Sequence, residues 1–431
     1  MQTSKITVVD SIMGSGKTSA MIDHINSHPE NNYIFITPFL AEVQRIKDST
    51  VQPFYEPKNY GNGKLESLKQ LLAENHNIAA SHSLFLMTDA ETEDLIKAGA
   101  YTLVLDETLD VVTPYNSDYP HNTIRRGDIS LLLQKQLISI DDYGMVTWMD
   151  YGSYDDFTYS AVEKLARAGN LICIDNALFL CQFPARIFGL FNEVYVLTYQ
   201  FEGSILKSYF DYYGIPFERR SAIATAPDCY EITDYYDDRD IRLRLKNMIR
   251  IVDDAQLTSI GARPSALSKS WYRNAQKEKI DQIKKNCNTF LRNRVTDAKA
   301  SRIMWTSFKD DYKAIVDRGY KYVRKLTKED RQLPEREVSK LNCFVSCNAR
   351  ATNDFADRDI LMYLVNRYPD PEIGKFFSKK GVEINRDIYA LNEMIQWIWR
   401  SAIRKGQPIQ IYIPSSRMRG LLQNWLDGNI G

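Results

Sequence analysis

Short apolar runs alternate with helical patterns along the first part of the chain. Strands are predicted at Ile6–Asp10, Tyr33–Thr37, Ile78–Ser81 and Tyr101–Asp106, with helical periodicity in the gaps. That alternation predicts a parallel sheet with helices on both faces. After Asp110 the rhythm breaks. Residues from about 115 to 165 carry a polar helix pattern and a hairpin signal, Asp142-Tyr143-Gly144-Met145-Val146-Thr147-Trp148, and are expected to form an insertion. The sheet is expected to resume with Leu171–Asp175 and Val194–Thr198. A second half is predicted from near Ile215, with strands at Arg302–Thr306, Cys343–Cys347 and Ile409–Ile413. A long polar helical stretch runs from about Ala266 to Arg294.

The chain has 431 residues, enough for two or three domains with full cores. Its 55 basic and 55 acidic residues give zero formal net charge, so any nucleic acid must be held by a local basic patch. Six scattered cysteines, Cys173, Cys181, Cys229, Cys287, Cys343 and Cys347, form no Cys-x-x-Cys pair and are read as reduced core residues of a cytoplasmic-type protein. The five histidines show no metal spacing. No apolar run approaches a membrane span, and no signal-peptide core is expected at the N-terminus.

The candidate chemistry begins directly after the first strand. Ser11-Ile12-Met13-Gly14-Ser15-Gly16-Lys17-Thr18, followed by a helical pattern from Ser19, reads as a phosphate-binding loop. Ser11, Gly14, Ser15, Gly16, Lys17, Thr18 and Ser19 would cradle the phosphates of a nucleoside triphosphate. Lys17 supplies a point charge, and Thr18 can ligate magnesium. Ser11 stands where the strict pattern has glycine. A glycine-rich turn before a lysine is the plainer alternative. A second signal is Leu103-Val104-Leu105-Asp106-Glu107, an apolar strand ending in two carboxylates. Asp106 would hold magnesium opposite Thr18, and Glu107 would orient and deprotonate the attacking water. The alternative is an acidic strand end at the surface.

With Asp106-Glu107 the chain begins to resemble the superfamily 2, DEAD/DEAH-like helicases, and those encoded by bacteriophages in its compact layout. Thr37-Pro38, followed by Glu42-Val43-Gln44, resembles motif Ia. Ser81-His82-Ser83-Leu84-Phe85 is similar to a Thr-His-x-x-Phe block, and Leu197-Thr198-Tyr199-Gln200-Phe201-Glu202-Gly203-Ser204 stands in the place of motif III, matching it only in the strand and a threonine. Asn348-Ala349-Arg350-Ala351-Thr352-Asn353-Asp354 resembles motif V. Gln396, Arg400 and Arg404 resemble motif VI, with Trp399 replacing its glycine and the second arginine one position late. On a helix these three would project from one face, and either arginine could act as the finger on a departing γ-phosphate.

The resemblance implies an α/β protein of two RecA-like parallel-sheet domains in tandem with helical insertions. The first would span residues 1–214, and the second 215–431, with a basic helical insertion at about 263–302 and the arginine-bearing helix at about 392–404. It implies an ATP- and Mg2+-dependent helicase or translocase in the cytoplasm of a phage-infected host. ATP would sit between the halves, and single-stranded or forked DNA would be the partner, with other replication proteins possible. Thr37, Pro38, Ser81, His82 and Arg350 would contact nucleic acid.

Independently, residues 263–302 are strongly basic, with only Glu278, Asp281 and Asp297 opposing the lysines and arginines. Arg273, Lys277, Lys284 and Lys285 lie among basic neighbours, with Trp271, Tyr272 and Phe290 interleaved. Positive charge with stackable rings suits a single strand, although a solvated helix face would look the same. Arg125, Arg126 and Trp148 of the insertion could line the other side. Two other readings stay open: a viral DNA-packaging motor, whose nuclease would need carboxylates such as Asp354, Asp357 and Asp359, and a nucleotide-switch binding module without unwinding.

Overall fold

Strand β1 (Lys5–Asp10) carries Ile6, Val8 and Val9, each at most 3% exposed, so both of its faces are buried. The same holds for β2 (Asn32–Thr37), β4 (Asn77–Ser81) and β5 (Tyr101–Asp106), while β3 (Phe54–Tyr55) is a short edge strand. The protein is seen here as a computed structural model that describes residues 4–38, 40–59, 61, 63–149, 158–347 and 354–431. The motif V-like block at 348–353, including Arg350, lies outside the described residues.

The strands that follow are β6 (Val112–Pro114), β7 (Ile138–Ile140), β8 (Val146–Trp148), β9 (Leu171–Ile174), β10 (Leu178–Gln182), β11 (Glu193–Thr198), β12 (Glu218–Ala226) and β13 (Cys229–Asp234). Among the described residues the main sheet has the order β13-β12-β1-β11-β5-β2-β4-β3. All its neighbours are parallel except the β12–β13 hairpin. β12 and β13 lie beyond the expected boundary at 214, yet β12 pairs in parallel with β1 and continues the first sheet. Helix Lys17–Ser27 buries Ala20, Met21, Ile22 and Ile25 against Val9, Tyr195, Leu197 and Ala222.

The insertion is larger than its hairpin. β7 and β8 pair antiparallel as expected, but β9 does not rejoin the main sheet. It pairs antiparallel with β10, which pairs with β6, in a separate three-stranded sheet. This subdomain has its own core, including Ile129, Leu132, Val162 and Leu171. Trp148 is 6% exposed and belongs to that core, so it is not available to line a channel.

Two compact units divide the chain. The first comprises Met1–Ser11, Ser15–Tyr235 and Pro369–Ile384, and the second comprises Ile12–Gly14, Tyr236–Tyr368 and Asn385–Gly431. The segment Pro369–Ile384 thus comes late in sequence but belongs to the first unit. Its helix Pro371–Ser378 places Phe376 4.4 Å from the Tyr212 ring, and Lys375 pairs with Asp175 at 3.0 Å. Lys380 sits 4.3 Å from the same tyrosine's ring centre.

In the second unit, β14 (Ile249–Ile251), β15 (Ile303–Thr306), β16 (Ile360–Tyr363) and β17 (Ile409–Tyr412) form a parallel sheet of order β14-β17-β16-β15. The run Cys343–Cys347 was expected to be a strand. It gives one parallel bridge, Phe344 to Trp305. Both units are therefore α/β, and the architecture is two RecA-like parallel-sheet domains in tandem with helical insertions. Cys173, Cys287, Cys343 and Cys347 are buried, but Cys181 is half-buried and Cys229 is exposed, so not every cysteine is a core residue. Among the described residues no helix is long and apolar enough to cross a membrane.

Candidate functional site

The sheet register brings the chemistry together. Asp10 lies opposite Thr198, and Leu197 lies opposite Asp106, so β1, β11 and β5 end side by side at one edge. Parallel strands with helical returns place ligands at this carboxyl edge.

Here the loop after β1 turns through Gly14 at φ 83° and Gly16 at φ 87°, the left-handed region that glycine enters without steric cost. At Gly16 the need is double, since an added Cβ would come within 2.1 Å of the Tyr230 ring. Lys17 Nζ donates to the Ser11 carbonyl at 2.7 Å. Burial pushes the Lys17 pKa down, while Glu107, Asp10 and Asp106 pull it up. Ser11, the residue in the glycine position, uses its hydroxyl structurally and accepts the Ala222 N–H of β12 at 2.8 Å. Ser19 Oγ accepts from Arg45 at 3.0 Å, while Ser15 Oγ is buried with no hydrogen-bond partner among the described residues.

Asp106 is the hub. Thr18 donates to one carboxylate oxygen at 3.2 Å and Thr37 to the other at 3.3 Å. The His82 Nε2–H donates to the Asp106 carbonyl at 3.1 Å. Thr37 is fully buried and His82 is 9% exposed, so both hold Asp106 in place and are not positioned to touch nucleic acid as expected. Pro38 and Ser81 are half-buried, and Ser81 bonds to Ser83. Burial first, then Glu107 and Glu42, push the Asp106 pKa up to about 7. A buried carboxyl beside a second carboxylate and a threonine hydroxyl is an oxygen set suited to Mg2+, whose charge would restore ionisation.

Glu107 follows at φ 70°, a left-handed conformation that is strained for glutamate. Its N–H donates to the Leu197 carbonyl at 2.9 Å, which pins the residue at the end of β5. Sequence reasoning missed what backs the site. Asp10 is 4% exposed and pairs with Arg219 at 2.7 Å, while accepting the Phe201 N–H at 3.1 Å. An apolar strand ending in Asp10 was visible, but the arginine on β12 had no motif to mark it.

In the second unit the expected helix at about 392–404 ends early. Helix Arg386–Ile398 is capped by Trp399, Arg400 follows in a turn, and Arg404 lies in the 3-10 turn Ala402–Lys405. Gln396, Arg400 and Arg404 therefore do not share one helix face. Gln396 is half-buried and donates to Asn392 at 3.2 Å, Arg400 is 5% exposed, and Arg404 is exposed. The apolar side of this region is held by Trp397, whose indole donates to the Val345 carbonyl at 3.0 Å.

The basic segment forms helices Lys269–Asn274 and Lys277–Asn293. Arg273, Lys277 and Lys285 are exposed, and Lys284 is half-buried. Two of the interleaved rings are not free to stack on bases. Phe290 and Tyr272 are 0% and 4% exposed, because Phe290 continues the apolar face of Ile283, Cys287 and Leu291, and Tyr272 packs into the same core from the preceding helix. Arg294 pairs with Asp254, and Arg302 pairs with Asp359. Asp357 pairs with Arg358 at 3.2 Å, so the nuclease-like carboxylates Asp357 and Asp359 are already engaged.

Comparison with known proteins adds lineage to this geometry. A family model described as the YonV C-terminal Rossmann-like domain matches residues 243–426, and one described as the YonV middle domain matches residues 121–181. A protein of Bacillus subtilis (strain 168), described as SPbeta prophage-derived uncharacterized protein YonV, is 38% identical over 439 residues, covering 98% of this chain and 99% of that one. A solved XPD helicase is similar at TM-score 0.51 and 12% identity, over 99% of this chain and 95% of that one. The structure of S. tokodaii Xpd4 is similar at TM-score 0.48 and 12% identity, over 99% and 94%. The likeness to the XPD helicase is one of fold. The extent and identity of the match to the prophage protein go further, and the chain belongs to the YonV family.

Proposed function

We propose that the chain is a nucleic-acid-dependent ATPase of superfamily 2 type, acting as a helicase or translocase on single-stranded or forked DNA. One observation carries this: Lys17, Thr18, Asp106 and Glu107 come from two separated segments to the ends of β1 and β5, the strands on either side of β11, and are linked by the Thr18–Asp106 hydrogen bond. The name of the fold neighbour, a helicase, agrees with it. The prophage origin of the YonV relative supports a role in phage DNA replication or recombination inside the host cytoplasm.

In this reading Gly14 and Gly16 let backbone N–H groups close around phosphate oxygens, and Lys17 offsets their charge. Mg2+, held by Thr18 and through Asp106, would supply charge neutralisation at the β- and γ-phosphates. Glu107 accepts the proton of the attacking water. ATP hydrolysis measured against single- and double-stranded DNA and RNA tests the function. Stimulation by DNA is expected. No hydrolysis with any of them would end the ATPase reading.

Two further outcomes concern the second unit. Because Arg400 is buried and Arg404 exposed, alanine at each should act differently. The finger should cost ~10³-fold or more in turnover with little loss of ATP affinity, and the other should leave turnover nearly intact. If neither variant lowers turnover, neither arginine is the finger. For DNA, the double charge reversal Lys284→Glu, Lys285→Glu should weaken binding. It should also flatten the logarithmic salt slope by about 1.4, at ~0.7 per lost phosphate contact on a single strand. An unchanged slope would place the DNA path elsewhere.

A further inference from the structure

Gln200 lies two residues beyond the end of β11, the strand between β1 and β5. It is 4% exposed, and both side-chain amide atoms are buried without a hydrogen-bond partner among the described residues. A buried amide with both its donor and its acceptor unmet is costly, and native proteins rarely tolerate one without a use for it. Its backbone is also unusual, at φ 52° and ψ 54°, the left-handed region that a β-carbon disfavours.

The surroundings hold it there on several sides. Just before it, Thr198 accepts the Ser11 N–H at 3.1 Å, and Leu197 accepts the Glu107 N–H at 2.9 Å. Just after it, the Phe201 N–H is bound by Asp10. Gln200 itself accepts the Gly203 N–H at 3.0 Å through its carbonyl. The end of β11 is thus tied to the start of the phosphate loop on one side and to the Asp106-Glu107 strand end on the other. Thr198 Oγ1, two residues earlier, is buried without a partner among the described residues as well.

We propose that Gln200 positions the attacking water against the γ-phosphate, an inference that rests on the ATPase reading above. A carboxamide is suited to this because it offers a donor and an acceptor together. Its N–H₂ donates to a γ-phosphate oxygen, which only accepts, and its C=O accepts from the water. In the step it serves, the water oxygen bonds to the γ-phosphorus and the bond to the β-phosphate oxygen breaks. The water proton passes to Glu107, and ADP and inorganic phosphate leave. In this family member the strand end that lacks the Ser-Ala-Thr pattern would carry a water-positioning amide instead.

The test compares wild type with Gln200→Leu, which keeps the volume and removes both polar groups. The thermal midpoint should be unchanged or higher, since no buried amide remains unmet. Hydrolysis of ATP should fall about 10²-fold or more. ADP affinity should stay within about threefold, while affinity for ADP with aluminium fluoride, which imitates the transferring phosphoryl group, should fall by about the factor lost in turnover. Wild-type turnover in Gln200→Leu, or equal weakening of ADP with and without aluminium fluoride, overturns the proposal and leaves the ATPase reading standing. A wild-type protein that neither binds nor hydrolyses ATP overturns both.

Discussion

Glu107→Gln is expected to bind ATP as wild type does and to hydrolyse it about 10²- to 10⁴-fold more slowly, the usual worth of a positioned general base. The substitution is nearly isosteric. The strained backbone at φ 70° and the N–H bond to Leu197 do not involve the side chain, so the loop should stay in place. What disappears is the ability to take a proton from water. Single-turnover hydrolysis, read beside equilibrium binding of a fluorescent ATP analogue, separates the two effects. A variant that hydrolyses ATP at the wild-type rate would remove Glu107 from the chemistry. A variant that loses ATP affinity as steeply as turnover would make the residue a structural support.

Lys17→Ala is expected to weaken ATP binding about 10- to 10²-fold. A charge-assisted hydrogen bond to phosphate is worth ~1.5–3 kcal/mol, and each 1.4 kcal/mol is tenfold in affinity. The lysine also balances the carboxylates around it. Glu107, Asp10 and Asp106 all act on it, and its removal takes away a positive charge that lowers the Asp106 pKa. The variant's affinity for ATP should therefore stay weakened even at magnesium concentrations that saturate wild type. Titration calorimetry with Mg2+·ATP checks this. Unchanged affinity would mean that the loop after β1 does not cradle phosphates.

The strands that lead into the candidate phosphate loop and into Asp106-Glu107 were legible because they are buried on both faces and therefore read as unbroken apolar runs. β16 was not, since Ile360-Leu361-Met362-Tyr363 has a single β-branched residue and follows a polar stretch. β12 was assigned to the wrong half for a different reason. No change of composition marks the point where the first sheet ends, and pairing with β1 is a long-range choice. The helix carrying Gln396 was recognised, but its end was not, because Trp399 and Arg400 have no stop signal of glycine or proline. A short motif says which residues occur but not which way they face, and Thr37 and His82 turn toward Asp106. Phe290 and Tyr272 were readable in principle. Phe290 falls seven positions after Ile283 and three after Cys287, a helical apolar face that outweighs the appeal of a ring among lysines.

The late segment Pro369–Ile384 has a practical consequence for the boundary between the units. A polypeptide stopped at Tyr235 would lack the helix that covers Tyr212, and would expose aromatic surface that the intact chain buries. The remaining piece would carry Phe376 and Phe377 with nothing to receive them. Neither piece is then a self-sufficient module, and a single crossover between relatives would pair Tyr212 of one with Phe376 of the other. Heredity must transmit the two units as one interleaved text.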